Sequence, residues 1–327
     1  MIPEKVKKIL QSQHYEIVGN HSAVQICKWT KSSLNGKSGC WKEKFYGINS
    51  HRCCQMSPAV MWCENHCLHC WRPIEMNLGI KISRTDEPKE IIDKIIKARK
   101  KLLAGFGGNK NVDKKKLKEA MEPNFFTLSL SGEPTLYPKI DELLKEIRKR
   151  KAISFLVTNG QNPDVLKKLE KEKALPTQLT LSLNASNEKL FNVWHKSMRK
   201  DAWKRVNETL KLMKKLKGKT RRVVRLTLVR EGTEKNSITN MEHVKEYADL
   251  IKIAEPDFVH VKGFKALGYS RKRLDYSKQP FHEEVEEFAN KLLEELKGYK
   301  KLGEEKRSCV ILLGKDKSRM KITEEEI

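Results

Sequence analysis

The sequence contains no long apolar run. None of its uninterrupted apolar stretches is long enough to span a bilayer, and the N-terminal segment MIPEKVKKILQSQ lacks the apolar core of a signal peptide. These two absences argue against an integral membrane protein and against export. We therefore expect a cytoplasmic protein that acts without a membrane.

Acidic residues are too few to balance the basic ones. Against 42 Asp and Glu, the chain carries 67 Lys and Arg, which gives a formal net charge of +25. A heat-adapted surface rich in ion pairs explains many charges but not an excess of one sign. Such an excess favours a polyanionic partner, with nucleic acid as the first candidate and an anionic membrane surface as the rival.

The cysteines lack the distribution of a disulfide framework. Seven of the eight lie between Cys27 and Cys70, and only Cys309 stands apart. Disulfide frameworks are typical of short exported chains, whereas this sequence has 327 residues and no export signal. The clustering therefore indicates metal binding.

Cys63, Cys67 and Cys70 form a set without a fourth cysteine. Their Cys-x3-Cys-x2-Cys spacing places three thiolates on one loop, and thiolates are soft ligands that suit zinc or an iron-sulfur cluster. A structural zinc site would take His66 or His69 as its fourth ligand. A 4Fe-4S cluster would instead keep one iron without a protein ligand, open to a substrate or a cofactor.

After the cysteine-rich head, short β-rich runs alternate with amphipathic helical patterns. The six predicted strands are PAVMW, FFTLSLSG, ISFLVTNG, QLTLSLN, VVRLTLV and FVHVKGF. This alternation predicts an α/β fold with a parallel sheet, either a partial (β/α)6 TIM-like barrel or an open doubly wound sheet. The cysteines directly after the first predicted strand favour the barrel, because barrel enzymes carry their chemistry at that end.

We expect one domain in three segments. Residues 1–57 form an N-terminal extension with the additional cysteines, residues 58–264 form the barrel, and residues 265–327 form a C-terminal extension. The last segment contains the helical pattern FHEEVEEFANKLLEELKG and two β-rich runs, YKKLGE and SCVILLG, which we expect to extend the sheet as a hairpin.

The cysteine loop after the first predicted strand resembles the signature of the radical S-adenosylmethionine (SAM) superfamily. The resemblance implies a 4Fe-4S cluster on Cys63, Cys67 and Cys70, with the amino acid end of SAM on the open iron. Reductive cleavage of SAM then yields a 5′-deoxyadenosyl radical that removes hydrogen from the substrate. His69 replaces the aromatic residue that usually precedes the last cysteine.

Polar residues at the ends of the next three predicted strands are candidates for binding SAM. The segment GEPTLYP resembles the superfamily motif that holds the SAM ammonium group, and a carboxylate with exposed carbonyls supplies the acceptors that an ammonium needs. We favour Ser182 and Asn184, at the end of the fourth predicted strand, for the SAM ribose or carboxylate. For Thr158, a helix cap remains the alternative. The candidates are Gly132, Glu133, Pro134, Thr158, Asn159, Ser182 and Asn184.

The head of the sequence resembles one family within this superfamily, tRNA 4-demethylwyosine synthase. Cys27, Cys40 and Cys53 follow one another at intervals of thirteen, and the segments FYGI, SHRC, GEPTLYP, FLVTNG, RLTLV, VKGF and HEEV extend the resemblance over nearly the whole chain. The resemblance implies a second 4Fe-4S cluster on these three cysteines, again with an open iron. Cys54 competes with Cys53 as a ligand, and we choose Cys53 because it occupies the matching position in SHRC.

The resemblance also implies the reaction. The substrates are pyruvate, bound at the second cluster, and tRNA(Phe) carrying N1-methylguanosine at position 37, and a two-carbon unit from pyruvate closes the third ring of 4-demethylwyosine. We expect a separate low-potential electron donor protein and a monomeric enzyme. Lys42, two residues after Cys40, is a candidate for attacking the keto carbon of pyruvate as a Schiff base.

The loop KGFKALGYSRKRLDYSKQ interleaves aromatic and basic residues. Such a composition suits phosphates and stacked bases, so we predict RNA binding by Tyr269, Arg271, Lys272 and Arg273. Two other functions remain open. One is a radical SAM activase that makes a glycyl radical, although the close-spaced ferredoxin-like motifs usual there are missing. The other is a zinc-stabilised RNA-binding module without catalysis.

Overall fold

A computed structural model describes residues 1–233 and 238–327. The strands in these residues form one ten-stranded sheet in the order β1-β2-β3-β4-β5-β6-β7-β8-β10-β9. Their bounds are β1 Glu16–Val18, β2 Ser22–Gln25, β3 Cys53–Ser57, β4 Phe125–Leu128, β5 Ile153–Thr158, β6 Gln178–Ser182, β7 Arg221–Leu228, β8 Phe258–Gly263, β9 Lys300–Glu305 and β10 Val310–Gly314.

The six strands from β3 to β8 are parallel neighbours, and at least one helix follows each of them. The predicted partial (β/α)6 barrel is therefore confirmed. The helices of the described residues are α1 Glu4–Ser12, α2 Lys28–Leu34, α3 Trp41–Tyr46, α4 Pro88–Ala104, α5 Lys114–Ala120, α6 Ile140–Lys149, α7 Pro163–Lys171, α8 Glu188–His195, α9 Ala202–Lys215, α10 Val244–Ala254 and α11 His282–Glu295. No helix in this part of the chain is long and apolar enough to cross a membrane.

The prediction of the first barrel strand was wrong. Instead of PAVMW, residues 58–62, the strand is Cys53–Ser57, and the chain turns at Met61, whose φ is 71°. Pro58 explains the difference, because proline has no backbone N–H to donate to a central ladder. The consequence is functional, since Cys53 opens the first strand and the Cys63 loop follows its carboxyl end.

Short antiparallel hairpins extend both edges of the barrel sheet. The β1–β2 hairpin pairs with β3, and the predicted C-terminal hairpin of β9 and β10 pairs with β8. The segment boundaries after residues 57 and 264 stay predictions, and the sheet continues across both of them.

The two faces of the barrel strands bury different side chains. The outer face packs on the helices through aliphatic residues such as Leu156, Leu181 and Val224. At the amino end of the barrel, the inner face carries an aromatic cluster closed by α3, comprising Trp41, Phe45, Tyr46, Phe125, Phe155 and Phe258. Because neighbouring residues of a strand point to opposite faces, Cys53 belongs to the inner cluster and Cys54 to the outer core.

A buried ion pair fastens β7 to β8 at the same end of the barrel. Arg222 is 2% exposed and donates to both carboxylate oxygens of Asp257, from Nη2 to Oδ1 at 3.0 Å and from Nε to Oδ2 at 3.2 Å. Asp257 also accepts from the backbone N–H of Arg222 at 2.9 Å. Removal of one partner from a buried pair leaves an uncompensated charge.

We therefore expect Asp257→Asn to destabilise the fold by about 3 kcal/mol. The same change in the exposed pair of Asp249 with Lys252 on α10 is the matched control, and we expect it to cost less than about 0.5 kcal/mol. Urea unfolding of both variants measures the difference. Equal midpoints for the two variants would contradict the structural role of the buried pair.

Candidate active site

The thiols of Cys63, Cys67 and Cys70 line one cavity at the carboxyl end of the barrel. Its volume is about 590 Å³, including space open to solvent, and Ser129 and Gly132 line it as well. The cysteine loop is closed at its base, because Leu78 donates its N–H to the carbonyl of Met61 at 2.7 Å. Burial raises the pKa of all three thiols, so a bound cation is required to hold them as thiolates.

The spacing of these thiols suits a cluster better than a single ion. A zinc ion with bonds of about 2.3 Å draws its sulfur ligands to within about 4 Å of one another. The three cysteine thiols are not gathered so closely. In residues 1–233 and 238–327, the only His, Cys, Asp or Glu trio with ligand atoms within 4.8 Å of one another is His282, Glu286 and Glu304. Lys301 already bonds both carboxylates of that trio, at 2.6 Å each.

Neither histidine of the cysteine loop is placed as a fourth ligand. His69 stacks on Trp194, and its Nε2 lies 3.2 Å from the Asn184 side-chain amide. His66 Nε2 lies 3.4 Å from the side-chain nitrogen of Asn77. Both rings lie outside the lining of the cavity that the thiols share. The donor set therefore fits a 4Fe-4S cluster with one open iron.

Gly132 allows the loop after β4 to touch the cysteine loop. Its φ is 71°, and a Cβ at this position would lie 1.9 Å from the carbonyl oxygen of Ala59 and 2.6 Å from that of Trp62. The next residue, Glu133, donates its N–H to the Trp62 carbonyl at 2.7 Å. Only glycine combines this backbone conformation with so close an approach.

Glu133 connects three loops rather than facing the cavity. Its Oε1 accepts from the hydroxyls of Thr135 at 2.6 Å and Thr158 at 2.8 Å, and its Oε2 accepts from the N–H of Asn159 at 2.8 Å. These bonds give Glu133 and Thr158 a positioning role, and their predicted contact with SAM remains a prediction. Of the predicted Gly-Glu-Pro segment, Gly132 alone lines the cavity.

A second buried carboxylate, Glu64, was missed by the sequence analysis. It is 0% exposed, and it accepts from the side-chain nitrogens of Asn159 at 2.9 Å and Asn162 at 2.5 Å. Burial, with the adjacent Glu64 carboxylate, raises the pKa of Glu133 to about 7. An acidic residue beside a cysteine ordinarily indicates a solvated loop, so the sequence carried no signal for this role.

His195 supports the other side of the cysteine loop and was also missed. Its Nδ1 lies 3.0 Å from the Cys67 thiol, and burial lowers the pKa of its ring to about 3, so the ring is neutral. The last residues of α8 accept backbone bonds from the same loop, from His66 to the His195 carbonyl at 2.8 Å and from Leu68 to the Trp194 carbonyl at 3.0 Å.

The predicted pair of Ser182 and Asn184, at the end of β6, connects to β7. Ser182 Oγ accepts from Nη2 of Arg225 at 2.7 Å, and Asn184 Oδ1 accepts from the N–H of Thr227 at 3.0 Å. The pair lies at the carboxyl end of the strand, at the rim that carries the cysteine loop. Their contact with SAM remains a prediction.

The head cysteines lie at the amino end of the same strands. Cys27 and Cys40 precede α2 and α3, and Cys53 is the first residue of β3. Burial is the largest cause that raises the pKa of Cys40 and Cys53, and their closeness adds to it, because Cys27 raises the pKa of Cys40 and both Cys27 and Cys40 raise that of Cys53. Cys54 lies on the opposite face, beneath the helices, and is fully buried.

Comparison with known proteins agrees with this arrangement. Residues 58–239 match the Radical SAM superfamily, and residues 253–315 match the family described as Wyosine base formation. The S-adenosyl-L-methionine-dependent tRNA 4-demethylwyosine synthase of Pyrococcus abyssi is 45% identical over 96% of this chain and 90% of its own length. The enzyme of the same name from Methanocaldococcus jannaschii is 37% identical over 96% of each chain.

The chain belongs to the tRNA 4-demethylwyosine synthase family.

Solved structures support the same assignment. A structure of TYW1 with a lysine-pyruvate adduct bound has a TM-score of 0.84 and 34% identity over 99% of each chain. A crystal structure of archaeal TYW1 has a TM-score of 0.78 and 32% identity over 98% of this chain and 100% of that one. The protein is therefore an enzyme of the radical SAM type, which uses SAM and a 4Fe-4S cluster.

The predicted RNA-binding loop of this family member docks on the cysteine loop. Tyr269 donates its N–H to the Trp71 carbonyl at 3.0 Å, and the guanidinium of Arg273 bonds the carbonyls of Leu68, Cys70 and Arg72. The side chain of Arg273 is thus engaged within the protein. Arg271 and Lys272 are exposed.

The contact at Gly132 generates a test of the SAM site. Gly132→Ala should force the two loops apart, because the new methyl group collides with backbone that cannot rotate away, and SAM affinity should fall by at least about tenfold. Gly105→Ala is the control, because Gly105 has helical φ and open space around its Cβ position. Equilibrium dialysis of the reconstituted proteins against SAM measures both. Equal affinity in the two variants would contradict the contact's role.

Proposed function

We propose that this chain converts N1-methylguanosine at tRNA position 37, with pyruvate, into 4-demethylwyosine. The observation that carries the proposal is the placement of two cysteine trios at opposite ends of one barrel in a member of this family. A single trio would suffice for SAM cleavage. The second trio, with Lys42 beside it, provides a place for a second substrate.

The residues of the first site hold and shield SAM. Cys63, Cys67 and Cys70 would ligate the 4Fe-4S cluster, which together with SAM supplies radical chemistry when bound. Gly132 lines the cavity, and backbone carbonyls are the kind of acceptor that the SAM ammonium needs. The neutral ring of His195 can donate Nδ1–H to the Cys67 thiolate.

The second site takes pyruvate. Cys27, Cys40 and Cys53 would ligate a second 4Fe-4S cluster, and an open iron suits the carboxylate and keto oxygens of an α-keto acid. The Lys42 ammonium lies over the rings of Phe125, at 4.8 Å, and Phe155, at 5.8 Å. It thus faces the barrel interior beside the trio, and the related TYW1 structure holds a lysine-pyruvate adduct.

Lys42 acts in this proposal as the nucleophile of the adduct. Its neutral amine forms a bond to the keto carbon of pyruvate, and the keto oxygen leaves as water, which gives a Schiff base without any change of oxidation state. Attachment to the chain fixes the two-carbon unit of pyruvate within the barrel, where ring closure of the base can occur.

The tRNA approaches at the rim of the first site. Lys272 lies over the ring of Tyr269 at 4.7 Å, and Arg271 lies over the ring of Tyr276 at 5.3 Å. The Tyr276 side chain is exposed, so the loop presents both cations and a stacking ring to solvent. An extruded base bound there would enter the barrel near the cysteine loop. We also propose a monomer that acts in the cytoplasm with a separate electron donor protein.

Lys42 gives the sharpest test of this activity. Reconstituted protein with SAM, reductant, pyruvate and methylated tRNA should form 4-demethylwyosine, and borohydride should trap pyruvate on the chain. Lys42→Ala should abolish both, because no other amine is proposed to form the adduct, while SAM cleavage without tRNA persists. Lys37→Ala, an exposed head lysine, is the control. Product formation by Lys42→Ala at the control rate would refute the covalent role.

The exposed cations of the loop give a separate test. Arg271→Gln with Lys272→Gln should weaken tRNA binding and flatten its salt dependence, with each lost phosphate contact lowering the slope by about 0.7 to 0.9. Lys211→Gln with Lys215→Gln on α9 removes the same charge from exposed positions elsewhere. Filter binding over a salt series measures the slopes. If the slope changes only in the α9 variant, the tRNA-binding surface includes α9 and not this loop.

A further inference from the structure

Two cations on the inner face of the barrel have no part in the reaction described above. Arg225 lies in β7 and Lys262 lies in β8, and both side chains are only partly exposed. In the register of these strands, Thr227 pairs with Lys262, so Arg225 stands two residues earlier on the same face. The two side chains are therefore neighbours inside the barrel.

Arg225 has unused hydrogen-bonding capacity. Its Nη2 donates to Ser182 Oγ at 2.7 Å, but its buried Nε has no partner among the described residues. Burial lowers the pKa of the guanidinium to about 10, and no charged group of residues 1–233 and 238–327 offsets that shift. A buried cation without a counter-charge is costly, which makes an anionic ligand the simplest reason for its position.

Lys262 shares this environment. Burial is the largest cause that lowers its pKa to about 8, and repulsion from Arg225 and Lys42 adds to it. The Cys40 and Cys309 thiols oppose this shift. The interior between the two trios therefore holds three cations, Lys42, Arg225 and Lys262.

The position of Arg225 relates it to both trios. Its charge lowers the pKa of His69, which lies in the loop of the first trio. It also lowers the pKa of His260, and Lys42, beside the second trio, lowers that same pKa. An anion held by Arg225 and Lys262 would thus lie between the two proposed cluster sites.

We propose that Arg225 and Lys262 form a carboxylate-binding site inside the barrel. This inference rests on the proposed function, in which both small molecules, pyruvate and SAM, carry a carboxylate. The planar guanidinium fork matches the two oxygens of a carboxylate, and Ser182 fixes its orientation. The lysine adds a second charge on the neighbouring strand.

Binding measurements on the reconstituted holoenzyme distinguish the two sources. In one arm, equilibrium dialysis compares SAM with decarboxylated SAM. In the other, borohydride trapping compares pyruvate with acetone, a ketone without a carboxylate. The variants are Arg225→Gln, Lys262→Gln and the conservative Arg225→Lys, with Lys252→Gln as a control from an exposed position on α10.

We expect Arg225→Gln to weaken one carboxylated compound by about 10- to 100-fold, with little effect on its analogue without the carboxylate. Lys262→Gln should act in the same arm, and Arg225→Lys should restore part of the loss. A selective loss with SAM identifies the SAM carboxylate, and a selective loss with pyruvate identifies the pyruvate carboxylate.

Three results would overturn the inference. One is equal behaviour of the variants and Lys252→Gln in both arms. Another is an equal loss for the compounds with and without a carboxylate. The third is a loss of iron and sulfide in Arg225→Gln, which would make the cations counter-ions of the cluster thiolates. If unaltered protein traps no pyruvate, the proposed function fails instead, and the SAM arm still tests this site.

Discussion

The buried carboxylate of Glu133 joins the three loops on which the first site depends. Its backbone N–H binds the cysteine loop at Trp62, and its side chain binds Thr158 and Asn159 at the end of β5. Asn159 continues the connection to Glu64, next to Cys63. Because a buried carboxylate without these donors would be very costly, the loops must stay together for the fold to tolerate it. The geometry of the thiols follows from that constraint.

The inner face of the barrel separates two chemical environments. At the amino end, aromatic rings close the barrel beneath α3. Cys40 and Cys53 are buried in this aromatic cluster, and Lys42 lies over the Phe125 ring. Toward the carboxyl end, the same face becomes polar at Ser182, Arg225 and Lys262. Strand β3 begins with Cys53, and its carboxyl end leads into the loop of the first trio. A short parallel strand is thus sufficient to hold the two cysteine trios apart and facing one interior.

The sequence predicted what depends on local pattern. Five of the six barrel strands and the C-terminal hairpin follow from β-rich runs, and the triad follows from its spacing. The first strand was misplaced because CCQMS looks less apolar than PAVMW. PAVMW is not the strand because Pro58 has no backbone N–H to donate to a neighbouring strand. The choice of Cys53 over Cys54 agrees with the strand's alternation, which places the two thiols on opposite faces. The roles of Glu64, His195, Arg225 and Arg273 depend on contacts between distant segments, and single residues of those types carry no local signal.

The metal content of the chain tests the central claim of two trios and two clusters most directly. Anaerobically purified and reconstituted protein should contain about eight iron and eight acid-labile sulfide per chain, four of each in every cluster. Cys27→Ala and Cys63→Ala should each lose about half of both, and Cys54→Ala should lose none. Stoichiometric zinc without sulfide, or the same iron loss in Cys54→Ala as in Cys53→Ala, would contradict the account.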